Sequence, residues 1–246
     1  MGDFGSRQII EVREGNITDY YSRDKIILTG EFPYVETTFA NNIELIVKPR
    51  KKQLPSVVKI PFSGYYFQLF LGDFNGDGRD EVLVRGSFLE VRGYAIGTIY
   101  AYVDGLLQNI FNQEIFTSSY SFTVKYLDNY KVDVYSLPLK ERYVIDISGR
   151  SKEYLELLYN PDGKVKENVG PAITPVIDVD PVKSIYDNSY SLIVKQNIVG
   201  IDNYDVFAII ESYFSLLNNE IKLISMGILT FGKKEEKIEV NCICPS

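Results

Sequence analysis

Asp73, Asn75 and Asp77 occupy alternate positions in the stretch Gly72-Asp73-Phe74-Asn75-Gly76-Asp77-Gly78-Arg79-Asp80-Glu81. That spacing suits a hard cation. Calcium takes about six to eight oxygen ligands, and a short loop supplies them when alternate side chains turn inward. Gly76 and Gly78 free the backbone to curl around an ion. The carbonyl of Arg79 falls where a main-chain ligand is needed, and the carboxylate of Glu81 closes the shell. The expected ligand set is therefore Asp73, Asn75, Asp77, Arg79 and Glu81, with Ca2+ as the ion. Asp80 is expected to point outward or to brace the loop, and Val82-Leu83-Val84 to anchor it as a strand. The loop is not an EF-hand: its twelfth position, counted from Asp73, is Val84, and both flanks read as strands rather than helices. The competing reading is an Asn-Gly turn without metal. Nothing in the loop points to a catalytic water.

Two weaker echoes of this pattern occur. One is Gly15-Asn16-Ile17-Thr18-Asp19 followed by Asp24-Lys25-Ile26-Ile27-Leu28. The other is Val176-Ile177-Asp178-Val179-Asp180 followed by Tyr190-Ser191-Leu192-Ile193-Val194. Each places polar residues before an apolar strand, but the oxygen shells near Asp19 and Asp178 are incomplete. If the echoes are genuine, the repeating unit is a sheet of a few strands.

Composition narrows the chemistry. The chain has no His, which removes the usual serine and cysteine triads and most zinc and iron sites. Carboxylate chemistry with help from Tyr remains. Asp133, Asp146, Asp178, Asp180 and Asp187 are the candidates for a carbohydrate-active enzyme, the alternative to a non-catalytic module, but no pair is singled out by spacing. The net charge of -7 argues against nucleic acid and anionic membranes as partners. Lys48-Pro49-Arg50-Lys51-Lys52 reads as a solvated turn. Cys242 and Cys244 lack the second pair that a zinc site needs, and read as thiols on a tail or as crosslinking points to another chain. There is no apolar run long enough for a membrane span, and no signal peptide is visible. The setting is open on these grounds; a cell surface, a spore layer or the extracellular medium would suit a calcium loop.

The elements that must position the loop are strands. Nineteen Tyr, with many β-branched residues and no Trp, favour pleated surfaces. Alternating segments include Ile9–Val12, Lys25–Leu28, Ile43–Val47, Tyr65–Leu71, Val82–Arg85, Thr98–Val103 and Phe122–Tyr126, then Ser191–Gln196, Val206–Phe214 and Ile221–Leu229. Lys131–Tyr135 and Arg142–Ile147 flank a turn and read as a hairpin. Ser151–Tyr159 fits a short helix or a strand equally. Lys51–Pro55 and Gly170–Pro175 read as connections. Many short strands with regular turns mean a sandwich, a barrel or a propeller.

The segment from Gly72 to Gly78, followed by Glu81 and Val82-Leu83-Val84, resembles the FG-GAP/VCBS repeat, the calcium-loop blade of integrin α-subunit propellers and of many bacterial surface proteins. Phe70-Leu71-Gly72-Asp73 and Gly97-Thr98-Ile99-Tyr100-Ala101-Tyr102 are similar to successive strands of one blade. The order of segments is similar to uncharacterised VCBS-repeat proteins of Gram-positive spore-forming bacteria. The resemblance implies an all-β, β-propeller fold of about five blades over residues 1–232, with 233–246 as a tail or last strand. It implies calcium held by Asp73, Asn75, Asp77, the carbonyl of Arg79, and Glu81. It also implies a binding or scaffold role, with a protein or carbohydrate partner on the loop face.

Overall fold

The computed structural model describes residues 6–34, 36–51, 54–91, 93–184, 188–217 and 220–230. Fifteen strands and two short helices alternate along the described residues. The first group is β1 (Arg7–Gly15), β2 (Asp24–Glu31), β3 (Phe39–Lys48) and β4 (Ser56–Lys59). The second is β5 (Gly64–Gly72), β6 (Glu81–Ser87), β7 (Ala95–Val103) and β8 (Leu106–Asn112), followed by α1 (Gln113–Ser119). The third is β9 (Phe122–Leu127), β10 (Lys131–Ser136) and β11 (Glu141–Asp146), followed by α2 (Lys152–Leu158). The fourth is β12 (Ala172–Lys183), β13 (Tyr190–Val199), β14 (Val206–Ser215) and β15 (Lys222–Thr230).

Each group is an antiparallel meander of neighbouring strands. The first two join into one eight-stranded sheet through a short pairing of β3 with β5, Phe39 opposite Tyr65 and Ala40 opposite Gly64. The all-β expectation therefore holds. The propeller of about five blades does not: no closed ring of blades forms among the described residues. The reason lies in how the faces are covered. One core lies between the first and second groups, around Ile26, Leu45, Val82 and Val84. A second lies between the second and fourth, around Phe74, Leu83, Leu192 and Phe214. The third lies between the third and fourth, around Val132, Val134, Ala208 and Ile210. The fourth group thus covers both the second and the third group. A ring would need each group to pack on its neighbours in chain order.

The strand sequences encode this layering. β6 is buried on both faces, with Val82 and Val84 in the first core and Leu83 in the second, so its start is a continuous apolar run. Burying each such side chain stabilises by roughly 1.5–3 kcal/mol. β14 buries Ala208, Ile210, Ser212 and Phe214 on one face, and Phe207 is buried as well at its start. That single face covers the third group at one end and the second at the other.

One expected connection is part of a strand, and one open reading resolves to a helix. The stretch containing Gly170–Pro175 and the Asp178 echo lies largely in β12, the first strand of its sheet. An edge position tolerates Pro175 and Pro181, and the register slips between Ile173, Val176 and Asp178. Ser151–Tyr159 is helical, with the Ser151 hydroxyl accepting the N–H of Tyr154 as an N-cap. The expected tail, with Cys242 and Cys244, lies outside the described residues, as does Asp187.

Candidate metal centre

The Asp73–Glu81 loop joins β5 to β6 and is wound around its own carboxylates. Gly76 and Gly78 have φ of 76° and 83°, the left-handed region that glycine enters without strain. The Asp73 carboxylate accepts the backbone N–H groups of Gly76 at 2.6 Å, Asp77 at 3.1 Å and Gly78 at 2.8 Å. Glu81, only 3% exposed, accepts from Phe74 at 2.7 Å and Asn75 at 2.9 Å. Asn75 donates to Asp77 at 3.4 Å.

The electrostatics are those of crowded carboxylates. Burial pushes the Glu81 carboxyl up to about 7; the two backbone N–H groups oppose this, and the charges of Asp77 and Asp73 add to it. Burial also raises Asp77, but hydrogen bonds from the Arg79 side chain and backbone outweigh it, leaving Asp77 below the ordinary carboxylate value. The Arg79 guanidinium donates to Asp77 at 3.0 and 2.5 Å and to the carbonyl of Tyr102 at 3.3 Å. Among the described residues, no group of three or more His, Cys, Asp or Glu side chains converges closely enough to hold a metal ion. The donors around the loop are nonetheless all oxygens, as a hard cation requires. Arg79, expected to contribute only its backbone carbonyl, also supplies the positive charge of its side chain to Asp77.

The loop also touches three of the four strand groups. Asp80 reaches the turn between β1 and β2, accepting the N–H of Asn16 at 2.9 Å and donating its own N–H to the Asn16 carbonyl at 2.9 Å. Asp80 is the brace that its position allowed, and burial raises its carboxyl. On the other side, the carbonyl of Asp73 accepts the N–H of Tyr190 in β13 at 2.6 Å. Phe74 is fully buried and packs on Phe70 and Tyr190.

The first echo loop has the same construction. Gly15 pairs with Asp24 at the closing end of β1–β2, and Gly72 pairs with Glu81 at the same spacing in β5–β6. Asp24 is fully buried, like Glu81, and ties its loop by accepting from Thr18 at 2.8 Å and from Arg50 at 3.0 Å. Asp19 pairs with Lys51. The second echo is different: Asp178 and Asp180 lie within β12, not in a loop. They face Arg85 of β6 and Lys195 of β13 in a square of alternating charge, with contacts of 2.8–3.2 Å.

Of the carboxylates considered for catalysis that lie among the described residues, only Asp178 and Asp180 come together. Burial and the adjacent Asp180 raise Asp178. Burial acts the same way on Asp180, but hydrogen bonds from Asp178 and Lys195 hold it low. Asp133 is bound by Arg142 at 2.6 Å, and Asp146 caps a turn at Ser148.

Comparison with known proteins gives the chain a family. The chain is 30% identical over 229 residues to the uncharacterised protein YybI of Bacillus subtilis (strain 168), covering 92% of this chain and 87% of that protein. The chain belongs to the YybI family. A model of the YybI C-terminal domain matches residues 120–229, which spans β9 to β15 and leaves the metal-loop candidate in the YybI N-terminal part. The family is uncharacterised and is represented in a Gram-positive bacterium, as the order of segments implied. The comparisons bring the chain to YybI rather than to FG-GAP or VCBS proteins. No solved structure matches it. Among the described residues, no helix is long and apolar enough to cross a membrane.

Proposed function

We propose that this chain is a non-catalytic binding scaffold in which calcium at the Asp73–Glu81 loop clamps the strand groups together. One observation carries the reading: the loop is hydrogen-bonded to the β1–β2 turn through Asp80 and to β13 through Asp73. An ion held there would stiffen a junction of three strand groups in two sheets. Asp73, Asn75, Asp77, the carbonyl of Arg79, and Glu81 would hold it. The guanidinium of Arg79 is the positive charge that calcium would displace from Asp77.

A ligand bound only to the native state stabilises by RT ln(1 + [L]/Kd), about 2.7 kcal/mol at ~100 times Kd. The test is thermal unfolding with millimolar calcium, with magnesium and with a chelator. Calcium raises the midpoint, magnesium raises it less, and Asp77→Ala abolishes the rise. Arg79→Ala, which removes the competing cation, lowers the calcium concentration required. Equal midpoints for wild type in calcium and in chelator reduce the loop to a self-bonded turn.

A further inference from the structure

At the opposite end of β5 from the metal loop lies a row of aromatic rings. Tyr34 and Phe39 have ring centroids 5.8 Å apart, Phe39 and Tyr65 5.2 Å, and Tyr65 and Tyr66 6.2 Å. Tyr34 is 64% exposed and Tyr66 50%, so the row is open to solvent at both ends. Successive ring planes turn by 50°, 68° and 40°.

The row depends on a local irregularity. Along a regular strand, neighbouring side chains point to opposite faces. The register of β5 on β6 slips between Tyr65 and Gln68, and Tyr66 has φ of 57°. A bulky residue in the left-handed region is an outlier, and such strain concentrates where a surface is in use. A bulge at this point re-aims a side chain. Glycine would hold this backbone more easily, yet a tyrosine stands there.

The row leads into a recess of about 200 Å³ lined by Tyr66, Gln68, Arg85, Ser87 and Asp178. Its wall presents an amide, a guanidinium, a hydroxyl and a carboxylate, so it both donates and accepts hydrogen bonds. Arg85 and Asp178 stay partly exposed there, at 27% and 36% of their side chains.

From the aromatic row and the polar recess together, we infer a binding cleft for an extended glycan chain. Sugar rings offer apolar C–H faces that stack on aromatics, and hydroxyls that both donate and accept. A proline-rich peptide also docks on aromatic grooves, but it would offer few groups to this polar wall. The inference rests on the scaffold reading and names its partner's chemistry, using residues separate from the metal loop.

The test is titration calorimetry of the full chain with cellohexaose, chitohexaose and a polyproline peptide, each in calcium and in chelator. At least one hexasaccharide binds, and the peptide does not. Tyr34→Ala and Tyr66→Gly each weaken binding by about tenfold, the loss of one stacked ring. Tyr66→Gly keeps or raises the unfolding midpoint, because glycine relieves the backbone. Binding of neither sugar, affinity unchanged by both variants, or binding of the peptide alone overturns the cleft. Sugar binding that persists while calcium leaves the midpoint unmoved sinks the clamp and leaves the cleft standing.

Discussion

Asp80 and Asn16 exchange two hydrogen bonds, backbone to carboxylate and backbone to backbone, each 2.9 Å long. They are the closing contact between two hairpins built alike, one ending in Gly15 and Asp24, the other in Gly72 and Glu81. Asp80→Ala leaves the Asn16 N–H without its acceptor and costs about 1–3 kcal/mol. Asp80→Asn keeps an acceptor and removes a charge that burial already disfavours, so it stays within about 0.5 kcal/mol of wild type. Denaturant midpoints of both variants check this; equal effects would mean that the carboxylate does not brace the hairpins.

Glu81 makes stability depend on pH in the absence of calcium. Its folded value, about 7, lies above its ordinary 4.5, so folding favours the protonated form. That contribution is fully present below about pH 4.5 and is lost as the pH rises through about 7, a fall of about 3 kcal/mol. On the proposed function, calcium would bind the carboxylate form, and its stabilisation would grow across the same window. Chemical unfolding in chelator between about pH 4.5 and pH 8 shows the decline, and Glu81→Gln flattens it. A wild-type profile that is already flat there contradicts the assignment.

The charge square ties the second strand group to the fourth. Arg85→Met leaves Asp178 and Asp180 facing Lys195 alone. Because all four side chains remain partly exposed, the loss is about 1–3 kcal/mol rather than that of a fully buried pair. A double-mutant cycle with Asp180→Asn gives a coupling above about 0.5 kcal/mol; additive effects would show that the square does not act as a unit.

Gly105 and Gly76 separate backbone strain from crowding. Gly105 has φ of 85° with nothing within 4 Å of an added Cβ, so Gly105→Ala costs about 1 kcal/mol of strain alone. At Gly76, with φ of 76°, an added Cβ would meet Leu217 Cδ2 at 2.7 Å, and Gly76→Ala costs more. Combining it with Leu217→Ala narrows the difference but leaves the strain. Calorimetric midpoints of the four proteins give the ranking; Gly105→Ala as the worse of the two single changes would contradict it.

Period and turn chemistry are local, and they were legible. The β-branched, apolar segments Lys25–Leu28, Val82–Arg85 and Val206–Phe214 located β2, β6 and β14, and the Gly76 and Gly78 positions marked a loop with two left-handed residues. The twofold echo around Asp24 and Glu81 was visible as spacing, although only the structure showed the two acids as the closing residues of matching hairpins. β12 was hidden because Pro175, Pro181 and the acids at 178 and 180 read as a loop. Only an edge position and two cations on neighbouring strands make that sequence a strand.

The residues alone determined an all-β chain, an oxygen-rich loop at the start of a strand, and the exclusion of histidine chemistry. Tertiary structure decided that the fourth group covers both the second and the third group rather than taking a place in a ring. It put Arg85 against Asp178 and Asp180, and it brought Phe39 beside Tyr65. The physical reason is range. Strand period and turn geometry are set by neighbours a few residues apart. Which buried face covers which is set by apolar surfaces far apart in sequence, and those carry no marker of their partner.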